Sequence, residues 1–273
     1  MASSGRIGFL GLGKMATALA SGLTKACLFV PGQITGSDKL LDRREAFAAA
    51  IGAQTAADNA ALVRECEIVV LAVKPQDVDR LLADIGGQFT ARHLLISIAA
   101  GITTARIEAF LPPGCRVVRA MPNTPMLVGK GAAAICPGSH ATADDVARAR
   151  AIFEAAASVI TVDERLMDAV TAVSDSGPAY FFYFVEALIQ GGIEEGLAPA
   201  QAAQLATQTL VGAAALLADS GRSPAELRAD VTSPGGTTVA AVQAFEAAGL
   251  AKSIIAAVHA AAERSRQLGA PKK

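Results

Sequence analysis

The chain of 273 residues changes character near Asp163, and that change constrains the fold more than any other feature. Before it, short apolar runs rich in β-branched residues alternate with amphipathic stretches. "RIGFL" precedes a helical stretch from about Lys14, "QITGS" precedes "DKLLDRREAFAAA", and "EIVVLAV" precedes "PQDVDRLLADI". "HLLISIA" is followed by "ITTARIEAF". Three more strand-like runs come next, "CRVVRAM", "GAAAICP" and "SVITV", with the helix "ADDVARARAIFEAAA" before the last. Alternation of this kind builds a mostly parallel sheet with helices on both faces, because each crossover must travel back over the sheet before the next parallel strand can start. Beyond Asp163 apolar residues recur at helical spacing nearly to the end, with breaks expected at Gly177-Pro178, Pro199, Pro224 and Ser233. The boundaries that follow are 1–163 for an α/β domain and 164–273 for an all-helical one.

"IGFLGLGKMATALA" sets Gly11, Gly13 and Ala16 as G-x-G-x-x-A directly after the first strand and at the opening of the first helix. In that context Gly11 permits a tight turn, Gly13 lets the backbone approach a pyrophosphate, and Ala16 allows close helix packing, while the helix amides face the negative charge. The plain alternative is a tight strand-to-helix turn without a ligand. The fold class expected is α/β, an N-terminal Rossmann-type doubly wound, mostly parallel sheet followed by an all-helical domain. The second strand ends in "TGSDK". Ser37 stands where an acidic side chain would grip the free ribose hydroxyls of NADH, and a serine tolerates a 2′-phosphate. Asp38 would repel that phosphate if it pointed inward. NADPH is the first expectation and NADH the second.

A net charge of -1 and the lack of a basic stripe set nucleic-acid binding aside. The apolar runs are interrupted before membrane-spanning length, as Glu186 interrupts "PAYFFYFVEALIQGGIEE", and "MASSGRIGFLGLGK" has none of the features of a secretion signal. A soluble cytoplasmic protein is expected. Cys27, Cys66, Cys115 and Cys136 are scattered without metal-ligand spacing, so the expectation is no metal and reduced, buried thiols. The helical half is rich in alanine and large aliphatics and poor in charge. Its helices are apolar on more than one face, which points to an oligomer.

Reducing a ketone leaves an alkoxide that needs a proton donor, yet no lysine occurs between Lys130 and Lys252. His93, His140 and His259 read as structural or solvated. An imine differs, since its nitrogen can take a proton from solvent before hydride arrives, leaving the protein to position and polarise. "TSPGGTT" suits that task. Ser233 reads as a helix cap and Pro234 as a first helical residue, Gly235 and Gly236 would expose backbone N–H groups to an anion, and Thr237 and Thr238 add hydroxyls. A decorated helix cap with no ligand is the alternative reading of the same residues.

Taken together, these pieces resemble the Δ1-pyrroline-5-carboxylate reductases, which make proline from a cyclic imine with NAD(P)H. The resemblance runs along essentially the whole chain. Its most specific piece is "LRADVTSPGGTTVAAVQAFEAAGL", supported by "IGFLGLGKMATALA", "VVLAVKPQ", "SIAAGIT", "RAMPNTPMLVGKG" and "SDSGPAY" in the expected order. It implies cofactor contacts from Gly11, Leu12, Gly13, Lys14, Met15, Ser37, Asn59, Ala72, Val73, Lys74 and Pro75. It implies that Ser233, Gly235, Gly236 and Thr237 gather around the substrate carboxylate, with Asn123 and Ser176 in the substrate site and Thr238, the catalytic candidate, on the ring nitrogen. It further implies that the all-helical domain is a dimerisation domain, giving a homodimer of interlocked helices, which family members often extend into rings of dimers. One departure stands out: Asp175 replaces the glycine common at that place.

Three rivals remain at this level. A β-hydroxyacid dehydrogenase shares the "GFLGLG" opening but would carry a catalytic lysine in the helical half. A general imine reductase would not need a carboxylate cradle, and a non-catalytic dinucleotide sensor would not need a second anion site.

Overall fold

The computed structural model describes residues 5–269; the termini included in the sequence-based boundaries lie outside the described residues. The strands are β1 (Ile7–Leu10), β2 (Ile34–Ser37), β3 (Gln54–Ala56), β4 (Ile68–Leu71), β5 (Leu94–Ser97), β6 (Arg116–Pro122), β7 (Gly131–Pro137) and β8 (Ala157–Thr161). They form one sheet in the order β3-β2-β1-β4-β5-β6-β7-β8. Every pairing is parallel except β6 with β7, which are antiparallel. This is the doubly wound order, in which the chain reverses direction of travel across the sheet beside β1 and leaves a crevice at the strand C-termini. The seven strand-like runs of the sequence are all present. β3 was not anticipated, since three residues give too short a pattern to register.

Between the strands lie α1 (Lys14–Lys25), α2 (Leu41–Ile51), α3 (Asn59–Glu65), α4 (Val78–Ile85), α5 (Thr104–Glu108) and α6 (Ala143–Glu154). Successive strand residues serve opposite faces, so Ile7, Phe9, Ile68 and Val70 join one apolar cluster while Leu10, Val69 and Leu71 join another. Burial on both sides explains why these strands read as continuous apolar runs. α1 buries Ala16, Leu19, Ala20 and Leu23, one stripe at helical spacing. His93 is buried in the turn before β5, where Nδ1 accepts the Thr90 N–H at 2.8 Å and Nε2 lies 3.0 Å from the Val63 carbonyl. Cys66, Cys115 and Cys136 are buried, but Cys27 is exposed, which corrects the expectation for that thiol. Its position just past the end of α1, at a backbone φ of 56°, turns it away from the core.

The chain divides into two compact units. One runs to Ser176 and takes in the chain again from Ala260; the other is Gly177–His259. In the first unit, α7 (Met167–Val170) buries Met167 against Met121, Ala134 and Cys136, and runs into a π-turn at Thr171–Asp175. The returning segment, the last part of α12 (Leu250–Gly269), is fixed there by two bonds. Ser265 Oγ donates to Asp168 at 2.6 Å, and Arg106 donates to the Gly269 carbonyl at 3.2 Å.

The second unit contains α8 (Gly177–Glu194), α9 (Pro199–Ser220), α10 (Pro224–Asp230), α11 (Thr237–Ala247) and the start of α12. α8 packs on α9, and Phe184 meets Phe245 of α11 with ring centroids 6.2 Å apart. Little else is covered. α8 buries only Gly177 and α9 only Ala202 and Ala206, while Phe181, Phe182, Tyr183, Leu205, Val211 and Leu216 are each more than half exposed. No single described helix is long and apolar enough to cross a membrane.

Candidate active site

The loop from β1 to α1 is shaped by two glycines with different tasks. Gly11 has φ +92°, and a Cβ there would stand 2.9 Å from the Val73 nitrogen and 3.0 Å from the Ala72 carbonyl carbon. The backbone of "AVKP" therefore presses directly on the loop, which joins two of the sequence motifs at one point. Gly11 N–H also donates to the Ser37 carbonyl at 2.8 Å, tying the loop to the end of β2. At Gly13, by contrast, a Cβ would meet nothing within 4 Å. Gly13 is the N-cap of α1 in extended conformation, with no side chain capping the helix and no acidic residue in its first turn. The first-turn amides of Lys14, Met15 and Ala16 have no partner within the helix, so bare donors and the positive helix end face open space. That is a cradle for a phosphate anion.

Ser37 and Asn59, distant in sequence, are joined: the Ser37 hydroxyl donates to Asn59 Oδ1 at 2.7 Å. Asn59 opens α3, whose cap is Asp58, accepting from Ala60 N–H at 2.9 Å and Ala61 N–H at 3.2 Å. Lys74 is exposed and extended at the lip formed by Pro75. Asp38 turns inward. It is 8% exposed, its Oδ2 accepts the Leu12 N–H at 2.9 Å, and its Oδ1 accepts the Leu40 N–H at 3.0 Å. That second bond is an Asx-type turn, and it delays α2 to Leu41, later than the expected start in "DKLL".

Asn123 follows β6 and is 6% exposed. Its side-chain Nδ2 donates to the Ser174 carbonyl at 2.9 Å and its Oδ1 accepts the Ala132 N–H at 2.8 Å. Asn123 thus clamps the π-turn, whose last bond runs from Ser176 N–H to the Thr171 carbonyl at 3.0 Å. Turns of this type are frequent at functional sites, and no residue pattern announces them. Asp175 lies in the same turn, and burial pushes its carboxyl above the usual carboxylate range. Sequence reasoning also missed Arg119. It is 3% exposed, 3.3 Å from Glu164, with Nε and Nη2 lacking hydrogen-bond partners among the described residues. Glu164 in turn accepts from Thr104 N–H at 2.7 Å and Thr104 Oγ1 at 2.6 Å.

In the second unit, "SPGG" is not the start of a helix. Gly236 N–H donates to the Ser233 carbonyl at 3.0 Å, and Gly235 has φ +75°, so residues 233–236 form a reverse turn with Pro234 at its second position. Helix α11 begins at Thr237 with Gly236 as N-cap and no side-chain cap. This corrects the reading of Ser233 as cap and Pro234 as first helical residue. Proline fixes the φ that such a turn needs, and the left-handed residue after it breaks the helix. A Cβ at Gly236 would lie 2.8 Å from Ser233 Oγ, so both glycines answer to the turn. The Gly236 amide is used within it. Gly235 and Ser233 are exposed, and the first-turn amides of Thr237 and Thr238 precede the first intrahelical bond, Ala240 N–H to the Gly236 carbonyl.

A doubly wound sheet with an open glycine loop at its first crossover, followed by apolar helices, defines the class: a dinucleotide-binding oxidoreductase with a helical second part. Residues 6–101 match the family described as NADP oxidoreductase, coenzyme F420-dependent, and residues 164–268 match pyrroline-5-carboxylate reductase dimerisation. The chain is 42% identical to the pyrroline-5-carboxylate reductase of Methanosarcina acetivorans, over 97% of its own length and 98% of that protein. Among solved structures, it resembles the reductase from Coxiella burnetii with a TM-score of 0.90 and 36% identity, covering 98% of this chain and all of the other. A further match is the Plasmodium falciparum pyrroline carboxylate reductase with NADP bound, with a TM-score of 0.88 and 30% identity over 99% of this chain and 100% of that one. The chain belongs to the pyrroline-5-carboxylate reductase family.

Proposed function

We propose that the protein reduces the C=N bond of 1-pyrroline-5-carboxylate to give L-proline, the last step of proline biosynthesis, with NAD(P)H as reductant. The observation that carries this reading is the end-to-end similarity to reductases of that name. The cofactor fits the residues present, because Gly13 leaves open the space that a side chain would fill and α1 offers uncapped amides. When bound, the dinucleotide supplies the hydride. Gly13, Lys14 and Met15 would hold its pyrophosphate on the loop that Gly11 and Leu12 shape, Ser37 and Asn59 would meet its adenosine ribose, and Ala72 to Pro75 would line the loop alongside.

The substrate carboxylate is held by Ser233, Gly235 and Thr237, with Gly236 serving by closing the turn through its amide, and Thr238 bonds the ring nitrogen. The imine takes its proton from solvent, so no lysine or histidine acid is required. Ser176 contributes to the substrate site, and Asn123 serves it by fixing the π-turn. The exposed apolar helices of the second unit support a homodimer, which we extend to a ring of dimers, and we place the enzyme in the cytoplasm with no nucleic-acid or membrane partner.

The test is steady-state loss of nicotinamide absorbance with each dinucleotide. Addition of pyrroline-5-carboxylate is expected to produce it. Turnover with a ketoacid instead favours a hydroxyacid dehydrogenase, and none with either favours a sensor.

A further inference from the structure

The end of β2 carries an acid in a position that bears on cofactor choice. Strand register puts Ser37 beside Leu10, the last residue of β1, so Asp38 is the first residue beyond the sheet at the crevice where the glycine loop begins. Its carboxylate does not face solvent. Oδ2 accepts the amide of Leu12, the residue between the two glycines, and Oδ1 accepts the amide of Leu40. Burial by itself would raise this carboxyl, but the two amides and Arg43 outweigh it and hold the group below the usual carboxylate range. An ionised carboxylate is thus fixed against the loop.

In doubly wound sheets the adenosine ribose of a bound dinucleotide lies at this corner, where a carboxylate accepts from free ribose hydroxyls and a cation accommodates a 2′-phosphate. We infer that Asp38 is the specificity-determining residue that selects against the 2′-phosphate, so that this carboxylate sets the balance between NADH and NADPH. The inference rests on the proposed reading of the glycine loop as the dinucleotide site.

Two physical effects work in the same direction. The carboxylate repels a phosphate placed at the ribose, and screening by solvent is weak because the group is buried. It also competes for the nearest cation. Arg43 lies 3.5 Å from Oδ2, and Arg44 donates to the Asp38 carbonyl, so a 2′-phosphate must draw a guanidinium away from a partner it already has. Ser37 offers no charge to set against this, and its hydroxyl is engaged with Asn59.

The experiment is a titration of NADH and NADPH, followed by nicotinamide fluorescence, against the wild-type chain, Asp38→Ser and Asp38→Asn. The asparagine variant keeps one acceptor, for Leu12 N–H, and loses the charge together with the acceptor for Leu40 N–H, so thermal melting checks the fold of each variant. The expected result is a shift of the NADPH-to-NADH affinity ratio toward NADPH by about ten-fold or more in both variants. An unchanged ratio in folded variants overturns the inference. A second measurement needs no variant: competition by 2′,5′-ADP and by 5′-AMP on the wild-type chain. 2′,5′-ADP is expected to compete no better than 5′-AMP, and tighter competition by 2′,5′-ADP overturns the inference. Failure of the wild type to bind either dinucleotide would instead sink the reading of the loop, and this inference with it.

Discussion

The Ser37 hydroxyl and the Asn59 side-chain carbonyl share a 2.7 Å hydrogen bond that joins the end of β2 to the first residue of α3. The bond fixes the orientation of both side chains at the proposed cofactor corner. Asn59→Ala is therefore expected to raise the KM for the dinucleotide on the order of ten-fold, the cost of about 1.4 kcal/mol, with the KM for the imine nearly unchanged. Steady-state kinetics with each substrate varied in turn checks the split.

Gly11 and Gly13 lie two residues apart and should fail differently. Gly11→Ala forces a side chain into φ +92° and against the Val73 backbone, which costs about 3 kcal/mol when left-handed strain and overpacking are combined. A drop of roughly 5–10 °C in melting temperature is expected. Gly13→Ala meets no protein atom, so its melting temperature should stay within about a degree of the wild type. Its dinucleotide affinity should fall about ten- to hundred-fold, because the methyl group enters the space proposed for the pyrophosphate. Calorimetry of melting and of binding separates the two.

Thr238 sits in the first turn of α11, directly after the Gly235-Gly236 turn. Thr238→Ala removes the hydroxyl proposed to bond the ring nitrogen and is expected to lower kcat on the order of 100-fold while dinucleotide affinity is preserved. Unchanged turnover would remove Thr238 from the catalytic role.

His93 gives stability a pH dependence whose sign follows from its burial. Burial pushes its imidazole below the ordinary value of 6.5, and the neutral form accepts the Thr90 amide. The unfolded chain then binds the proton first as pH falls. The His93 contribution is complete above about 6.5 and is lost as pH drops from there through the depressed folded value. Urea unfolding at pH 7.5 and pH 5 is expected to show lower stability in acid, with a smaller difference in His93→Gln.

Thiol reactivity should follow exposure. Burial pushes Cys66 up to about 11 and Cys136 up to about 12, and raises Cys115 as well, so thiolate is scarce at all three near neutrality. Mild alkylation of the native protein followed by mass spectrometry is expected to label Cys27 and spare the others.

The parts of this molecule legible from sequence are those in which one local pattern settles the outcome. Runs such as "EIVVLAV" have to be buried strands, and Gly11 with Gly13 after the first of them defines a turn whatever surrounds it. Short or relational features escaped. β3 has only three residues, and the π-turn depends on Asn123 bonding Ser174 across 51 positions. Asp38 could be placed in the sequence but not aimed, since its direction is fixed by the Leu12 amide. Ser233 and Pro234 were misread for a similar reason. Proline suits both the first turn of a helix and the second position of a reverse turn, and only the left-handed φ of Gly235 separates them.

In the proposed reaction, hydride passes from the nicotinamide to the C=N carbon of a cyclic imino acid. The most direct measurement is to incubate the protein with pyrroline-5-carboxylate and dinucleotide deuterated at the transferable nicotinamide position, and then to analyse the product by mass spectrometry and NMR. Proline carrying deuterium on the ring carbon that adjoins nitrogen and does not bear the carboxylate is expected, in amounts equal to the dinucleotide oxidised. Dinucleotide oxidation without labelled proline, or no oxidation at all in the presence of the imine, would contradict that reaction.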